Sequence, residues 1–346
     1  MLLTLKTKSL MKLLILGGTQ FLGRHLVESG LARGHSLTLF NRGQTNPDLF
    51  PDIEKLRGDR DGNLAALRSR HWDAVIDTSG YISHKVRASA ELLADAVGLY
   101  AFISSISVYS DFSRPGLDES APLSKLAAGV TENEGDSKTY GARKALCEEA
   151  VERCLPGRTL MIRPGIIVGP HDPLDRFTYW VRRIAQGGQV LAPAPPSAPI
   201  QWIDARDLAS WIVQLLEQKK IGTYNATGPE RPMTFGQMLD ACRAAAKSDA
   251  RFTWVDEQFL LDQGVKPYSD LPLWIPQAEK AYAGHFVVDS RRAFASGLTC
   301  RPVAETAQDT LLWERQSQVP RAAKSGSNGL SSARERELLQ RWAGIA

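Results

Sequence analysis

The sequence predicts an α/β fold: a doubly wound parallel sheet with helices on both faces, followed by a smaller C-terminal lobe. Two observations lead to this prediction. Strand and helix patterns alternate through the first half of the 346 residues, and a glycine-rich turn separates the first strand from the first helix. The length suits one large domain with an added lobe, because single hydrophobic cores rarely grow beyond about 250–300 residues.

The first half contains the alternating elements. We predict strands at residues 12–16, 36–40, 54–58, 74–77, 100–105 and 159–162, and helices at 23–33, 84–97, 140–154 and 177–186. Residues 111–139 are polar and contain several glycines and prolines, which predicts a long loop. Loops of this length in a compact domain are usually functional or disordered.

The second half is predicted to form the lobe, from shorter elements. Helices are expected at residues 208–218, 235–246 and 254–263, and a short strand at 222–225. The proline-rich residues 191–199 are predicted to be a loop, because proline fits neither a helix interior nor a central strand. Near the end, Ser332 and Glu335 have the spacing of a capping box that opens a last helix.

The composition excludes several classes of protein. Lys and Arg total 42 against 38 Asp and Glu, and the basic residues form no long run, which argues against a nucleic-acid-binding arm. No stretch approaches the roughly 20 apolar residues that a membrane span requires. The four cysteines show neither CxxC spacing nor a histidine cluster, so we expect no metal site. Scattered thiols favour a reducing, cytoplasmic compartment.

The first chemical signal is the turn LLILGGTQFLG, which places Gly17, Gly18 and Gly23 between a strand and a helix. Glycine permits a tight turn and a close approach of the backbone, and the helix N-terminus offers free N–H groups to a pyrophosphate. Because this turn opens an alternating α/β chain, it predicts a dinucleotide site. Gln20 occupies the place of the middle glycine in the usual fingerprint.

The end of the second predicted strand, LTLFNRG, bears on the choice of dinucleotide. An acidic residue there would bind the ribose hydroxyls of NAD, but this sequence has Asn41 followed by Arg42. An amide and a guanidinium suit a 2′-phosphate, so we expect NADP(H), with NAD(H) as the alternative. Arg42 also suits an ordinary surface position in a turn.

A tyrosine and a lysine four residues apart indicate where the reaction takes place. Tyr140 and Lys144 in YGARK lie on one face of a predicted helix. The positive charge is expected to lower the pKa of the phenol from its usual value near 10, which suits proton exchange with a substrate oxygen. Such a pair alone is common on helix faces. The upstream strand end FISSISVYS adds a hydroxyl at Ser105, and the combination is more specific.

Together, GGTQFLG, ISSISVYS, YGARK and RPGIIVGP resemble the extended short-chain dehydrogenase/reductase family, within it the NAD-dependent epimerase/dehydratase group. The resemblance covers roughly residues 11–315 and implies a Rossmann-type domain with a C-terminal substrate lobe. It also implies Tyr140 as acid/base, Lys144 on the nicotinamide ribose and Ser105 orienting the reacting oxygen. The GGTQFLG and FNRG patterns are most similar to the branch that includes atypical reductases and chloroplast stem-loop-binding proteins.

The candidate residues form three groups. The catalytic candidates are Ser105, Tyr140 and Lys144. Besides Tyr140 and Lys144, the cofactor candidates come from turns at strand ends: Gly17, Thr19, Gln20, Phe21, Leu22, Gly23, Asn41, Arg42, Asp59, Thr78, Ser79, Gly80, Pro164, Gly165 and Ile166. The substrate candidates are Ser107, His171, Arg176 and Trp180, although Trp180 also suits a core position.

These assignments divide the chain into four parts. Residues 1–10 are expected to be a disordered extension, and residues 11–170 form mainly the dinucleotide-binding domain. Residues 171–315 are expected to combine the substrate-binding lobe with elements that return to that domain. Residues 316–346 are expected to form a linker and a C-terminal helix.

The expected function is an NAD(P)-dependent oxidoreductase that transfers hydride reversibly at a secondary alcohol or ketone carbon. A nucleotide-sugar epimerase is an alternative, because the same triad supports reversible hydride transfer at one carbon. Dehydration is disfavoured: dehydratases of this family carry an acidic pair where Ile106 and Ser107 stand here. A non-catalytic nucleotide- or RNA-binding relative is a further alternative, against which the intact Tyr140 and Lys144 argue. The expected partner is a small molecule, either a nucleotide sugar or another polar ketone or alcohol, and a homodimer remains open.

Overall fold

The computed structural model describes residues 10–132, 137–317 and 329–345. Nearly all of the expected N-terminal extension, and the expected linker before residue 329, therefore lie outside the described residues. The strands, in chain order, are β1 (Lys12–Leu16), β2 (Ser36–Asn41), β3 (Glu54–Arg57), β4 (Trp72–Asp77), β5 (Val97–Ile103), β6 (Thr159–Pro164), β7 (Ile167–Val168), β8 (Gln189–Pro193), β9 (Pro199–Asp204), β10 (Gly222–Ala226), β11 (Gly228–Thr234) and β12 (Arg251–Val255).

The α-helices alternate with these strands in the first half and dominate the last third of the chain. They are α1 (Phe21–Ala32), α2 (Ser83–Leu93), α3 (Tyr140–Cys154), α4 (Arg176–Ala185), α5 (Ala205–Glu217), α6 (Phe235–Ala246), α7 (Glu257–Asp262), α8 (Arg291–Ala295), α9 (Val303–Gln316) and α10 (Ser332–Ala343). No helix in the described parts of the chain is both long and apolar enough to cross a membrane.

The large sheet has seven parallel strands in the order β10-β6-β5-β4-β1-β2-β3, which is a Rossmann-like arrangement. The predicted α/β fold class is confirmed. The chain leaves β1 toward β2 on one side and returns to β4 on the other, so the strand order reverses beside β1. Because the carboxyl ends of parallel strands meet at one edge, this topology places a crevice at the ends of β1 and β4.

Helices cover both faces of the sheet. Alternate residues of β1 point to opposite sides, so Leu13 and Ile15 pack in the layer of α1 and α5, and Leu14 and Leu16 pack in the layer of α2 and α3. A sheet buried on both faces explains why its strands are nearly continuous apolar runs. Two apolar layers thus fix the sheet and hold its carboxyl edge rigid.

The C-terminal lobe has a core of its own. A three-stranded sheet, β11-β9-β7, and a two-stranded sheet, β12-β8, pack with α4, α6 and α9. Phe177, Trp180, Trp202 and Phe235 are buried at the centre of this core. The lobe therefore folds around large aromatic side chains, whereas the large sheet is filled mainly with aliphatic ones.

Two predicted helices differ from the observed elements. The helix predicted at 84–97 ends at Leu93, because the Ala96 N–H bonds to the Leu93 carbonyl and the chain then enters β5. The helix predicted at 254–263 begins only at Glu257, because the Asp256 carboxylate caps the N–H groups of the first turn. Trp254, expected in that helix, belongs to β12.

The proline-rich residues 191–199 are also more regular than predicted. Pro193 ends β8 and Pro199 begins β9, and only the residues between these strands form a loop. Proline is tolerated at strand ends because no ladder hydrogen bond is required from its nitrogen there. At the C-terminus, the cap of α10 is Ser331 and not Ser332, since the Ser331 hydroxyl accepts from Arg334 N.

Candidate active site

A cleft of about 1060 Å³ opens at the carboxyl edge of the large sheet and extends to the lobe. The catalytic candidates and nearly all cofactor candidates line this one cleft. They are Gly17, Thr19, Gln20, Phe21, Leu22, Gly23, Asn41, Arg42, Asp59, Thr78, Ser79, Ser105, Tyr140, Lys144, Pro164, Gly165 and Ile166. The fold thus brings together residues from six separate turns and from α3.

The turn between β1 and α1 is closely packed. A Cβ atom on Gly17 would lie 2.4 Å from Thr78 Oγ1, and one on Gly23 would lie 2.8 Å from Gly18 N. Gly17 and Gly18 have φ angles of +117° and +94°, which other residues rarely adopt. The Gln20 side chain makes no capping hydrogen bond, so the first N–H groups of α1 suit a pyrophosphate. This donor set fits a dinucleotide.

Asn41 joins the end of β2 to the glycine turn. Its amide donates to the Gly17 carbonyl at 3.0 Å, and its amide oxygen accepts from Gly43 N at 3.0 Å and from the Arg57 guanidinium. Arg42 is exposed, lines the cleft and makes no hydrogen bond or ion pair within the described ranges. Two guanidinium groups therefore lie at the ends of β2 and β3, beside a neutral amide.

A buried ion pair supports the floor of the cleft. The Arg60 guanidinium donates to both oxygens of Asp77, at 2.7 and 2.8 Å, and Asp77 also accepts from the Tyr100 hydroxyl at 2.8 Å and from Ser79 N at 3.0 Å. Asp77 is fully buried at the end of β4. Because both charges are hydrogen bonded to protein groups, this pair fixes the backbone around Ser79.

Gly141 brings the tyrosine helix against the serine turn. Ser105 Oγ accepts from Ser107 N and donates to Ser107 Oγ, both at 3.1 Å. A Cβ atom on Gly141 would lie only 1.9 Å from the Ser107 carbonyl oxygen, so only glycine allows this approach. As a result the Ser105 hydroxyl lies close enough to Tyr140 to lower the pKa of its phenol.

The expected lowering of the tyrosine pKa is wrong in this structure. Burial, with a smaller effect of Tyr81, raises the pKa of Tyr140 to about 12, although the Ser105 hydroxyl and the charges of Arg176 and Arg143 oppose this rise. Burial, which depends on the fold, outweighs the effect of nearby positive charge. Tyr140 therefore holds its proton at neutral pH.

Lys144 is buried on α3, about one helical turn after Tyr140. Its ammonium donates to the carbonyls of Gly80 at 2.8 Å and Ile103 at 2.6 Å, and it lies 4.3 Å from the ring centroid of Phe102. Burial lowers the pKa of Lys144 to about 8. An ammonium has three donors, which leaves one for a cofactor hydroxyl. Gly80, a predicted cofactor residue, does not line the cleft and instead helps to position Lys144.

The turn after β6 forms the other wall of the cleft. Gly165 N donates to the Ala226 carbonyl at 3.1 Å, and a Cβ atom on Gly165 would lie 2.5 Å from Thr227 Oγ1. Arg163, in the same RPG motif, is buried in a bidentate pair with Glu148 on α3. The turn is therefore fixed both to β10 and to the tyrosine helix.

Two of the four substrate candidates lie in the cleft and two do not. Ser107 and Arg176 line it. Trp180 is fully buried, and its indole donates to the Pro272 carbonyl at 2.6 Å, so this side chain belongs to the core of the lobe. His171 faces α1 and packs against the ring of Trp313 at 5.2 Å. Substrate contact by Trp180 is contradicted by its burial, whereas His171 lies outside the residues that line the cleft.

The cleft also contains residues that the sequence patterns did not identify. Tyr81 follows the strand-end glycine and lies over Lys144, 5.4 Å from its ammonium. Tyr268 and His285 reach the cleft from the lobe. Tyr81 was recognisable as the residue directly after a predicted cofactor turn, but no local motif marks the other two.

Comparison with known proteins agrees with this geometry. The model of the NAD dependent epimerase/dehydratase family matches residues 13–227, which include the glycine turn, Ser105 and the YGARK helix. The chain belongs to this family. Within it, the match ends just after β10, the last strand of the large sheet. The resemblance noted in the sequence is thereby confirmed.

Individual proteins resemble the chain more distantly. The chloroplast stem-loop binding protein of 41 kDa b from Arabidopsis thaliana is 27% identical over 254 residues, which are 68% of this chain and 63% of that protein. The chain thus spans less than two thirds of that relative's length. The structure of WbmG from Bordetella bronchiseptica, in complex with NAD and UDP, is 15% identical with a TM-score of 0.66, covering 89% of this chain and 96% of WbmG.

A third similar protein is the UDP-N-acetylglucosamine 4-epimerase from Bacillus cereus. It is 19% identical with a TM-score of 0.62, covering 88% of this chain and 99% of the epimerase. At such identities the two solved structures show the shared fold alone.

Proposed function

We propose that this family member is an NADP(H)-dependent oxidoreductase that transfers hydride reversibly at a secondary alcohol or ketone carbon. The main support is that Ser105, Tyr140 and Lys144 line the same cleft as the glycine turn. A nicotinamide cofactor supplies or accepts the hydride in such a reaction. The chain has to bind and orient the reactants and to move one proton.

Tyr140 is the proton donor in the reduction direction. Its phenol is protonated at neutral pH, and the Ser105 hydroxyl lies close enough to affect the pKa of that phenol. A ketone oxygen held by both accepts a hydrogen bond from Ser105 and a proton from Tyr140 as negative charge develops on it. The oxidation step starts from the Tyr140 phenolate, which accepts the proton of the alcohol. Lys144 keeps a positive charge near this group at neutral pH.

We further propose NADP(H) as the preferred cofactor and NAD(H) as the alternative. No carboxylate stands at the end of β2, where Asn41 is bonded to the glycine turn, and the Arg42 guanidinium is available to a 2′-phosphate. Arg57 adds a second positive charge next to Asn41. Since WbmG was solved with NAD, the preference for NADP(H) rests on these residues of this chain alone.

Cofactor titration followed by a substrate screen tests the proposal. NADPH and NADH are titrated by nicotinamide fluorescence, and polar ketones and alcohols are then screened by following NADPH absorbance. We expect NADPH to bind more tightly than NADH and to exchange freely during turnover. Binding of neither cofactor would refute the proposal, and equal affinities would refute the preference.

A nucleotide-sugar epimerase is the second candidate. It is favoured by WbmG, solved with NAD and UDP, and by the Bacillus cereus epimerase, both of which share the fold. Epimerisation returns the hydride to the same carbon and therefore favours a cofactor that stays bound. Purification with tightly held NAD, followed by epimer formation from UDP-sugars without cofactor consumption, would support this candidate over the first.

A non-catalytic RNA-binding protein is the third candidate, favoured only by the similarity to the chloroplast stem-loop binding protein. Filter binding with a stem-loop RNA, run beside the cofactor titration, separates it from the enzymes. We expect cofactor binding and no tight RNA binding, because the chain has no basic run and retains Tyr140 and Lys144.

We also propose a cytoplasmic location. All four cysteines are free thiols, and such thiols persist in reducing compartments. Fractionation of the source cells, with the protein detected by antibody, tests this directly.

A further inference from the structure

His285 lines the lobe side of the cleft with an imidazole whose polar atoms are unused. Neither ring nitrogen has a hydrogen-bond partner in the part of the chain that the structure describes. The ring is enclosed by Phe112, Tyr268, Tyr282 and Phe286, with centroids 5.0 to 6.4 Å away. A buried imidazole without partners is unfavourable, and a ligand that offers a donor and an acceptor would satisfy it.

Arg176 provides a second group with unused hydrogen-bonding capacity. Its guanidinium makes only two long bonds, to the Tyr268 hydroxyl at 3.5 Å and to the Ile167 carbonyl at 3.4 Å, and Nε has no partner. Within the described residues no carboxylate forms an ion pair with it. A half-buried guanidinium in this state suits an oxyanion, which accepts two parallel N–H bonds.

His285 and Arg176 differ in the chemistry they offer. Burial, with a smaller effect of the Arg176 charge, lowers the pKa of His285 to about 4, so the imidazole is neutral at pH 7. A neutral imidazole donates one hydrogen bond and accepts another, which matches a hydroxyl group better than an anion. Because neither ring nitrogen has a protein partner in the described residues, no protein hydrogen bond is lost when a ligand bonds to the ring.

The two groups are connected and lie on the reaction side of the cleft. The ring of Tyr268 packs 6.4 Å from that of His285, and its hydroxyl contacts Arg176. The charge of Arg176 in turn reaches Tyr140, the proposed proton donor. A molecule held by these side chains therefore shares one cleft with the proposed proton donor.

We infer that Arg176, Tyr268 and His285 form the substrate subsite, and that the substrate is a hydroxylated carboxylate or phosphate monoester. Arg176 and Tyr268 hold the oxyanion, and His285 holds a hydroxyl group. This inference rests on the function proposed above, since it names the substrate class for that reaction.

Calorimetric titration of the full-length protein, saturated with NADP⁺, tests the substrate class. The probes are D-gluconate, D-glucose 6-phosphate, D-glucose and UDP-glucose. We expect at least one of the first two to bind at least about tenfold more tightly than glucose, since the guanidinium selects for charge. Gluconate alone would indicate a carboxylate, and glucose 6-phosphate alone a phosphate. Equal binding of glucose, selective binding of UDP-glucose, or no binding of either anion would overturn the inference.

Substitutions test whether Arg176 and His285 contribute to anion binding. Arg176→Gln and His285→Phe should each weaken the preferred anion at least about tenfold. Phenylalanine suits the aromatic surroundings of His285, and His285→Gln, which keeps a donor and an acceptor, should recover part of the affinity. The matched controls Arg231→Gln and His71→Phe, at exposed positions outside the cleft, should bind as the wild type does. Unchanged affinity in Arg176→Gln and His285→Phe would overturn the inference.

The same samples separate this inference from the proposed function. All variants should keep the wild-type affinity for NADP⁺, because the glycine turn lies at the other end of the cleft. A wild-type protein that binds neither NADP⁺ nor NAD⁺ would refute the proposed function itself. A protein that binds cofactor but does not select the anions would refute only the substrate class.

Discussion

The two sides of the cleft use their polar side chains differently. On the sheet side, Arg60 is paired with both oxygens of Asp77, and Asn41 is bonded to the glycine turn. On the lobe side, Arg176 makes only long hydrogen bonds, and His285 has no partner for its ring within the described residues. The same cleft is lined by Asn41, Arg60, Arg176 and His285, so solvent exposure alone does not explain why some are bonded to protein and others are not.

The sheet side of the cleft is ordered before a ligand binds. Groups that are already bonded to protein hold the backbone in the shape that a dinucleotide requires, and little has to be ordered when it binds. Groups without protein partners have donors and acceptors that can bond to a ligand. Substitutions on the sheet side should therefore affect stability and cofactor binding, and those on the lobe side should affect substrate binding.

The largest expected effect is on the chemical step, where the two sides meet. Tyr140→Phe removes the proton donor and should lower turnover about 10²- to 10⁴-fold while NADPH affinity stays the same. Steady-state rates on the best substrate from the screen, with NADPH titrations, measure both. Tyr224→Phe, which changes a phenol on β10 outside the cleft, is the control. Full turnover in Tyr140→Phe would end the acid/base assignment.

The ion pair on the sheet side can be broken by replacing its buried carboxylate, Asp77. Asp77→Asn leaves the Arg60 charge without a counter-ion and should reduce the free energy of unfolding by about 3–5 kcal/mol. Urea unfolding measures this loss. Asp61→Asn, which removes an exposed partner of Lys85, should change little. Equal, small losses in both variants would mean that the buried pair does not support the floor of the cleft.

The approach of α3 to the serine turn can be tested by adding one methyl group. Gly141→Ala must push the helix away from the Ser107 carbonyl, which separates Tyr140 from Ser105 and should lower kcat about 10²-fold. In Gly30→Ala the new methyl meets only the flexible Leu37 side chain, so that variant should keep its activity. Normal rates in Gly141→Ala would show that this contact does not set the geometry.

The burial of Lys144 predicts a dependence of stability on pH. Its pKa is about 8 in the folded protein and near 10.5 when unfolded, so between these values the unfolded chain binds more protons. Stability relative to Lys144→Met should therefore rise between about pH 8 and 10.5, by up to about 1.4 kcal/mol per pH unit. Urea unfolding of both proteins across this range is the test. Parallel curves would contradict it.

The smallest expected effect concerns the cofactor phosphate. Arg42→Ala should weaken NADPH binding about tenfold, equivalent to about 1.4 kcal/mol, and leave NADH binding unchanged. Fluorescence titration of both cofactors measures the ratio of affinities. Equal weakening of NADPH and NADH would show that Arg42 does not face the 2′-phosphate.

The sequence predicted the sheet side of the site more fully than the lobe side. The cofactor residues lie in short turns directly after strands, so periodicity and glycine spacing locate them together. Tyr268 and His285 lie far along the chain from Tyr140, and only the packing of the lobe brings them to the cleft. The direction of the Tyr140 pKa shift was predicted wrongly, and the burial of Trp180 was left open. Neither property depends on nearby sequence.

The position of β10 has a consequence for how the molecule is made. This outer strand of the large sheet follows β7, β8 and β9 of the lobe in the chain, yet it pairs with β6. A chain that stopped after residue 170 would leave β6 as a bare edge, and such edges recruit strands from other molecules. During synthesis the sheet can be completed only once Ala226 has left the ribosome, so we expect a fragment that ends at residue 170 to associate through the edge of β6.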